Sequence, residues 1–141
     1  MSKAPATLRL TLSSRLSELT RIRNEMDRYL RDCSLPDSVR NMLLVVTEEV
    51  LSNIVRYGGC DQTSDPIEVT AARENAVVHM EFIDSGKPFN PLKEAGRATA
   101  EQLIDNREAG GFGVHLVREL TNHQEYTRKA DRNHFRITMH V

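Results

Sequence analysis

Between Asp37 and Tyr57 the chain carries one long helical pattern, closed by Gly58-Gly59 and followed by strand-like alternation. Leu35-Pro36-Asp37 sets its start, because Pro suits a first helical turn and Asp caps one. A glycine pair at the far end favours a helix stop. Each helical residue advances about 100° around the axis. Val39, Met42, Leu43, Val46, Val50, Ile54 and Tyr57 then fall on one broad apolar arc. A helix of this kind must bury that arc against another layer.

The partner layer is legible in the flanking segments. Leu8, Leu10 and Leu12 alternate with Arg9 and Thr11, which predicts a half-buried strand. Residues Ile67 to Arg73 and Ala76 to Asp84 read as two strands joined near Glu74-Asn75. Two closing strands are predicted at about 124–129 and 133–141. In the second, Phe135, Ile137, Met139 and Val141 alternate with polar residues. A first helix is expected from about Ser14 to Cys33, with Leu16, Leu19, Met26 and Leu30 at helical spacing. A last helix is expected from Phe112 to Thr121. Residues 85–110 hold Gly, two Pro and mixed charge, with one short helix near Thr99 to Ile104; so long a stretch in a small domain is usually functional. The sum is an α+β fold of two layers, a mixed, mostly antiparallel sheet with helices on one face. At 141 residues it is read as one domain, 1–141.

Charge and composition exclude several classes. The 19 basic and 20 acidic residues leave a net charge of −1, without the basic footprint of general nucleic-acid binding. Apolar runs are only a few residues long, so no segment is expected to span a membrane. Met1 to Thr7 lacks a hydrophobic signal core, so secretion is not expected. Cys33 and Cys60 have no metal-type spacing and read as free thiols of a reducing cytoplasm. His79, His115, His123, His134 and His140 form no ligand pair at metal spacing.

Three polar clusters interrupt the apolar pattern. Glu49 and Asn53 are four apart on the long helix, so their side chains are neighbours near Met42 and Val46 at the edge of the arc. Glu48 points away, toward solvent. A carboxylate and an amide at a core boundary need partners, since burying them bare costs several kcal/mol. Backbone groups or an arginine would serve equally well. Asp84 shares a strand face with Val78, Met80 and Phe82, so it turns toward the core where the strand ends. There it can accept from an exocyclic amine, and Gly86 lets backbone approach a flat base. An ordinary Asp-Ser-Gly turn would look the same. Finally, Gly110-Gly111-Phe112-Gly113 opens a helix, where free N–H groups and the helix terminus favour an anion. No Gly-Lys-Ser/Thr follows, so this is not a Walker loop. A flexible hinge is the alternative.

Taken in order, these clusters resemble the GHKL ATPase superfamily and its Bergerat ATP-binding fold. Val46 to Gly58 is similar to the N-box of that superfamily. Asp84-Ser85-Gly86-Lys87-Pro88-Phe89-Asn90-Pro91 is similar to the first glycine box, and Gly110 to Leu116 to the second, at the end of the ATP lid. The first histidine is His79, on a predicted strand, so a phosphoacceptor histidine on an upstream helix is missing. No residues remain for a coupling domain of the gyrase or Hsp90 kind. The chain therefore resembles the stand-alone anti-sigma factor and serine/threonine-protein kinase group, expected in the cytoplasm. Its partners would be a sigma factor or a STAS-type anti-sigma-factor antagonist, with no direct contact to nucleic acid or membrane. The region of the first helix, with Arg15, Arg21, Arg23 and Arg28, contributes to dimer and sigma contacts in that group. A solvated basic face explains those arginines equally well.

The resemblance implies ATP and Mg²⁺ as cofactors and assigns roles. Asn53 would offer its carbonyl oxygen to Mg²⁺. Glu49 would be the catalytic base, or position a water. Asp84 would read the adenine amine, Gly86 would admit the base, and Gly110, Gly111 and Gly113 would wrap the phosphates. Two positions depart from the group's pattern. Ala109 stands where a basic residue often precedes the lid glycines, leaving Arg107 as the nearest cation. Asn133-His134 occupies the final hairpin where Thr often lies near adenine. Three functions stay open on these residues: an active kinase, an ATP-holding module that sequesters a partner, and a small α+β domain without nucleotide.

Overall fold

In the computed structural model the described residues are 6–59, 64–90 and 111–141, with side chains of the last segment described from Leu116 onward. Strand β1 (Leu8–Leu12) leads through one 3₁₀ turn, Leu16–Glu18, into helix α1 (Leu19–Asp32). Helix α2 (Asp37–Tyr57) follows, then strands β2 (Ile67–Glu74) and β3 (Val77–Asp84). Helix α3 (Gly111–Leu120) and strands β4 (His123–Lys129) and β5 (Arg132–His140) complete the described chain. The sequence-predicted helix near Thr99 to Ile104 lies outside the described residues.

Local chemistry explains the boundaries. Ser34 adopts φ 59°, which turns the chain sharply between α1 and α2. The first α2 bond runs from Arg40 N–H to the Pro36 carbonyl at 2.9 Å, and Asp37 supplies an acidic first turn. At the other end Gly58 N–H still reaches the Ile54 carbonyl at 2.9 Å, and Gly59 then turns away at φ 70°. The β4–β5 turn places both Ala130 and Asp131 at positive φ, 53° and 59°, the geometry of a type I′ hairpin. Alanine has nothing to offset that conformation. Ala130→Asn is therefore expected to stabilise the chain by roughly 0.5–1 kcal/mol. Urea unfolding midpoints check it, and a lower midpoint would contradict the turn geometry.

The sheet order is β1-β2-β3-β5-β4, and every pairing among the described strands is antiparallel. The described strands form the expected two-layer α+β fold, with its mostly antiparallel sheet: the helical connection from β1 to β2 and the long one from β3 to the β4–β5 hairpin bring strands back antiparallel. Register aligns apolar residues in rows across the inner face. Val69, Phe82 and Phe135 form one row, and Ala71, Met80 and Ile137 the next. All six are buried. Phe82 and Phe135 meet with ring centroids 6.5 Å apart.

The helices cover this face, with α2 touching both α1 and α3. That flanking rotates the buried arc of α2 relative to the sequence expectation. Leu44 and Leu51 are buried beside Leu43, Val46, Val50 and Ile54, whereas Met42 is 37% exposed. Leu16, expected on the apolar stripe of the first helix, is 45% exposed because it belongs to the 3₁₀ turn and not to α1. Ile22, Met26, Tyr29 and Leu30 carry the packing of α1 instead.

Candidate functional site

The apolar rows of the sheet end in a polar one. Two residues beyond Phe82 and two before Phe135, Asp84 faces Asn133 across β3 and β5. Both are buried, Asp84 at 4% exposure and Asn133 at 3%. Strand parity forces both inward, as expected for Asp84. Asp84 Oδ1 accepts from Gly86 N–H at 2.9 Å and from Asn133 Nδ2 at 2.9 Å. Gly86 is itself buried in the loop that follows.

That loop is held from several sides. Asn133 Nδ2 also donates to the Lys87 carbonyl at 2.8 Å, and its Oδ1 accepts from Phe89 N–H at 3.3 Å. Arg128 donates to the Gly86 carbonyl at 2.8 Å, and Arg132 Nε to Ser85 Oγ at 3.2 Å. Lys87 N–H donates to the Gly58 carbonyl at 2.8 Å, which ties the loop to the C-terminal end of α2. The Gly59 backbone lies against the Lys87 side chain, so the second glycine of the pair sits at this same junction.

Asn53 lies five residues before Gly58, about 7.5 Å along the helix. It is 2% exposed. The structure therefore places the Asn53 end of α2 and the Asp84 loop together. Glu49, one turn earlier, is half-buried. It lines a cleft of about 320 Å³ between α1 and α2, with Thr20, Arg23, Asn24, Glu48 and Ser52. Burial pushes the Glu49 carboxyl above the ordinary glutamate value, neighbouring Glu48 adds to that, and Arg56 opposes it. A carboxylate of this kind is a stronger base than a solvated one. Glu48 does not simply face solvent. It pairs with Arg23 of α1 at 3.2 Å, with 43% of its side chain exposed. The expected contrast between the two glutamates is corrected on that point: both line the cleft toward α1.

The third cluster is described in part. Gly111 and Gly113 lie in the first turn of α3, whose unpaired backbone N–H groups suit an anion. Gly110, Arg107 and Ala109 lie outside the described residues. Among the described residues no group of three or more His, Cys, Asp or Glu could hold a metal ion. The donor set that the site does offer is one buried amide beside a glutamate. That suits a cation taking one or two protein oxygens and the rest from phosphates and water, as Mg²⁺ does. No helix among the described residues is long and apolar enough to cross a membrane.

Sequence reasoning passed over Tyr126 and Arg128, placed Lys87 only within the glycine box, and left Asn133 without a role. A signal for Asn133 was present: it shares a strand face with Phe135, Ile137 and Met139, and a polar residue on such a face needs partners. The partners themselves, up to 49 residues away, could not be read from spacing.

Comparison with known proteins gives the family and fold of this chain. A sequence profile of the histidine kinase-like ATPase domain matches residues 12–139. The chain is 26% identical over 102 residues to the serine/threonine-protein kinase BtrW of Bordetella bronchiseptica, covering 72% of this chain and 71% of that one. It is 30% identical over 92 residues to glutaminase 2 of Bacillus subtilis, covering 63% of this chain but only 28% of the glutaminase. Two solved structures share the fold. The RsbU and RsbW domains of Rv1364c from Mycobacterium tuberculosis superpose with a TM-score of 0.67 at 15% identity, covering 96% of this chain and 32% of that one. The SiaB–SiaC complex of Pseudomonas aeruginosa gives 0.66 at 13% identity, covering 95% and 88%. With residues 12–139 matched, nearly the whole length, this chain belongs to the histidine kinase-like ATPase domain family.

Proposed function

We propose that this chain is an ATP-dependent serine/threonine-protein kinase of the anti-sigma regulatory type, whose substrate is a STAS-type antagonist of the anti-sigma factor. The observation that carries the reading is the pairing of Glu49 and Asn53. One is a half-buried carboxylate with raised basicity opening to a cleft, and the other is a buried amide one turn further on. BtrW, named a serine/threonine-protein kinase, is a relative over most of both chains, which supports the same reading. On this view 1–141 is one cytoplasmic domain acting on partner proteins.

Mg²⁺-ATP, when bound, supplies the phosphoryl group and neutralises part of its charge. Asn53 would hold the metal through its carbonyl oxygen. Asp84 would accept a hydrogen bond from the adenine amine, and Gly86, without a side chain, would let the base approach. Gly110, Gly111 and Gly113 would hold the phosphates through backbone N–H groups, and Arg107 would supply the positive charge that Ala109 lacks. Glu49 accepts the proton of the acceptor hydroxyl at its carboxylate. Phosphoryl transfer depends mainly on positioning and electrostatics, so these few groups suffice.

A second reading is favoured by one residue. Ala109 before the lid glycines lacks the positive charge often found there, which fits a module that holds ATP and sequesters a sigma factor without transfer. Incubating the protein with γ-labelled ATP, Mg²⁺ and purified STAS-type proteins separates the two. Label on a partner serine or threonine is expected, and its absence from every partner that binds the chain favours sequestration. Both readings require nucleotide. Mg²⁺-ATP at about 100 times its Kd is expected to stabilise the fold by ~2.7 kcal/mol. An unchanged melting temperature with ATP and ADP would overturn both.

A further inference from the structure

Asn133 makes five polar contacts from one buried amide. Its Nδ2 donates to Asp84 Oδ1 at 2.9 Å and to the Lys87 carbonyl at 2.8 Å. Its Oδ1 accepts from Tyr126 O–H at 2.5 Å, Arg128 Nη1 at 3.2 Å and Phe89 N–H at 3.3 Å. All neighbours on the Nδ2 side are acceptors, and those on the Oδ1 side are donors. Turning the amide over would set its N–H groups against an arginine and a backbone N–H, and its carbonyl against a carboxylate. The network thus admits one orientation.

We infer that Asn133 is the positioning residue that gives the nucleotide site its preference for adenine over guanine, by holding Asp84 as a fixed hydrogen-bond acceptor. The inference rests on the ATP-binding reading above. With Oδ1 engaged by two donors, Gly86 N–H and Asn133 Nδ2, the carboxylate is committed to accepting and cannot swing. Adenine presents an amine donor at its exocyclic position, whereas guanine presents a carbonyl acceptor there. A carboxylate pinned in place rejects the second strongly, because two acceptors would then face each other. Tyr126 and Arg128 on β4 hold the far side of the amide, and Lys87 and Phe89 carry the same clamp into the loop that would border the base.

The test measures Kd for Mg²⁺-ATP and Mg²⁺-GTP calorimetrically at pH 8 and pH 5.5. The ratio of the two cancels phosphate titration and general loss of folding, which affect both nucleotides alike. The parent is expected to prefer ATP at both pH values. Asn133→Asp keeps an acceptor for Tyr126, Arg128 and Phe89 but sets a second carboxylate against Asp84. Its ATP:GTP ratio is expected to fall roughly tenfold or more at pH 8. Asn133→Leu has neither donor nor charge, so it loses the ratio at both pH values; it carries the test should the aspartate variant fail to fold. Arg31→Ala, at an exposed ion pair with Asp27 on α1, keeps the ratio within about threefold. A parent that binds no nucleotide would defeat the ATP reading itself, and this inference with it. A parent that discriminates, with Asn133 variants that discriminate equally, would overturn the inference alone.

Discussion

Glu49→Gln is expected to lower phosphoryl transfer to the acceptor protein by ~10²–10⁴-fold, the usual worth of a general base, while Mg²⁺-ATP still binds. The glutamine keeps the size of the side chain and its place in the cleft between α1 and α2, but cannot take a proton. Single-turnover transfer and nucleotide Kd, measured side by side, separate the two effects. Equal transfer by parent and variant would remove Glu49 from the mechanism. The neighbouring control is Glu48→Gln, which breaks a partly exposed pair with Arg23 and removes the smaller of the two effects that raise Glu49. Its cost should stay within about 1 kcal/mol of stability.

Glu49 also predicts a pH signature. Its carboxyl is raised in the folded chain by burial first, then by Glu48. The folded state therefore holds this proton more tightly than the unfolded state. Ionising Glu49 costs stability, and the cost grows as pH rises from the unfolded value to the folded one, then levels off. Glu49→Gln should match the parent in stability below that window and exceed it above. The acid limb of transfer should lie above the ordinary glutamate range. A variant that is more stable and nearly inactive is the behaviour of a group kept for chemistry.

The second large effect concerns stability. Phe82→Ala is expected to cost ~3–5 kcal/mol. Phe82 is fully buried on β3, beside Val69 on β2 and Phe135 on β5. Domains of this size hold only about 5–15 kcal/mol in all. Met42→Ala, on the exposed side of α2, should shift stability by no more than about 0.5 kcal/mol. Urea unfolding of both checks the contrast, and a loss at Phe82 below about 1 kcal/mol would contradict the row packing. Because Phe82 lies one row from Asp84, its loss should also weaken nucleotide binding, which links the core to the site.

Local periodicity and punctuation determined the elements of this protein. The bounds of α2 followed from Pro36, Asp37 and Gly58-Gly59, and strand parity turned Asp84 inward before any contact was known. Those features depend on neighbours within a few residues, so they are written in the chain itself. The tertiary structure decided the rest. Whether Met42 or Leu44 is buried depends on α1 and α3 lying beside α2, and no helical wheel contains that information. Glu48 meets Arg23, and Lys87 meets Gly58, only because the layers close. Asn133 shows the division most clearly: parity alone puts it inside, but pairing to Asp84, 49 residues away, requires the β3–β5 register. Hydrogen bonds of that kind form only after the sheet has set which strands are neighbours.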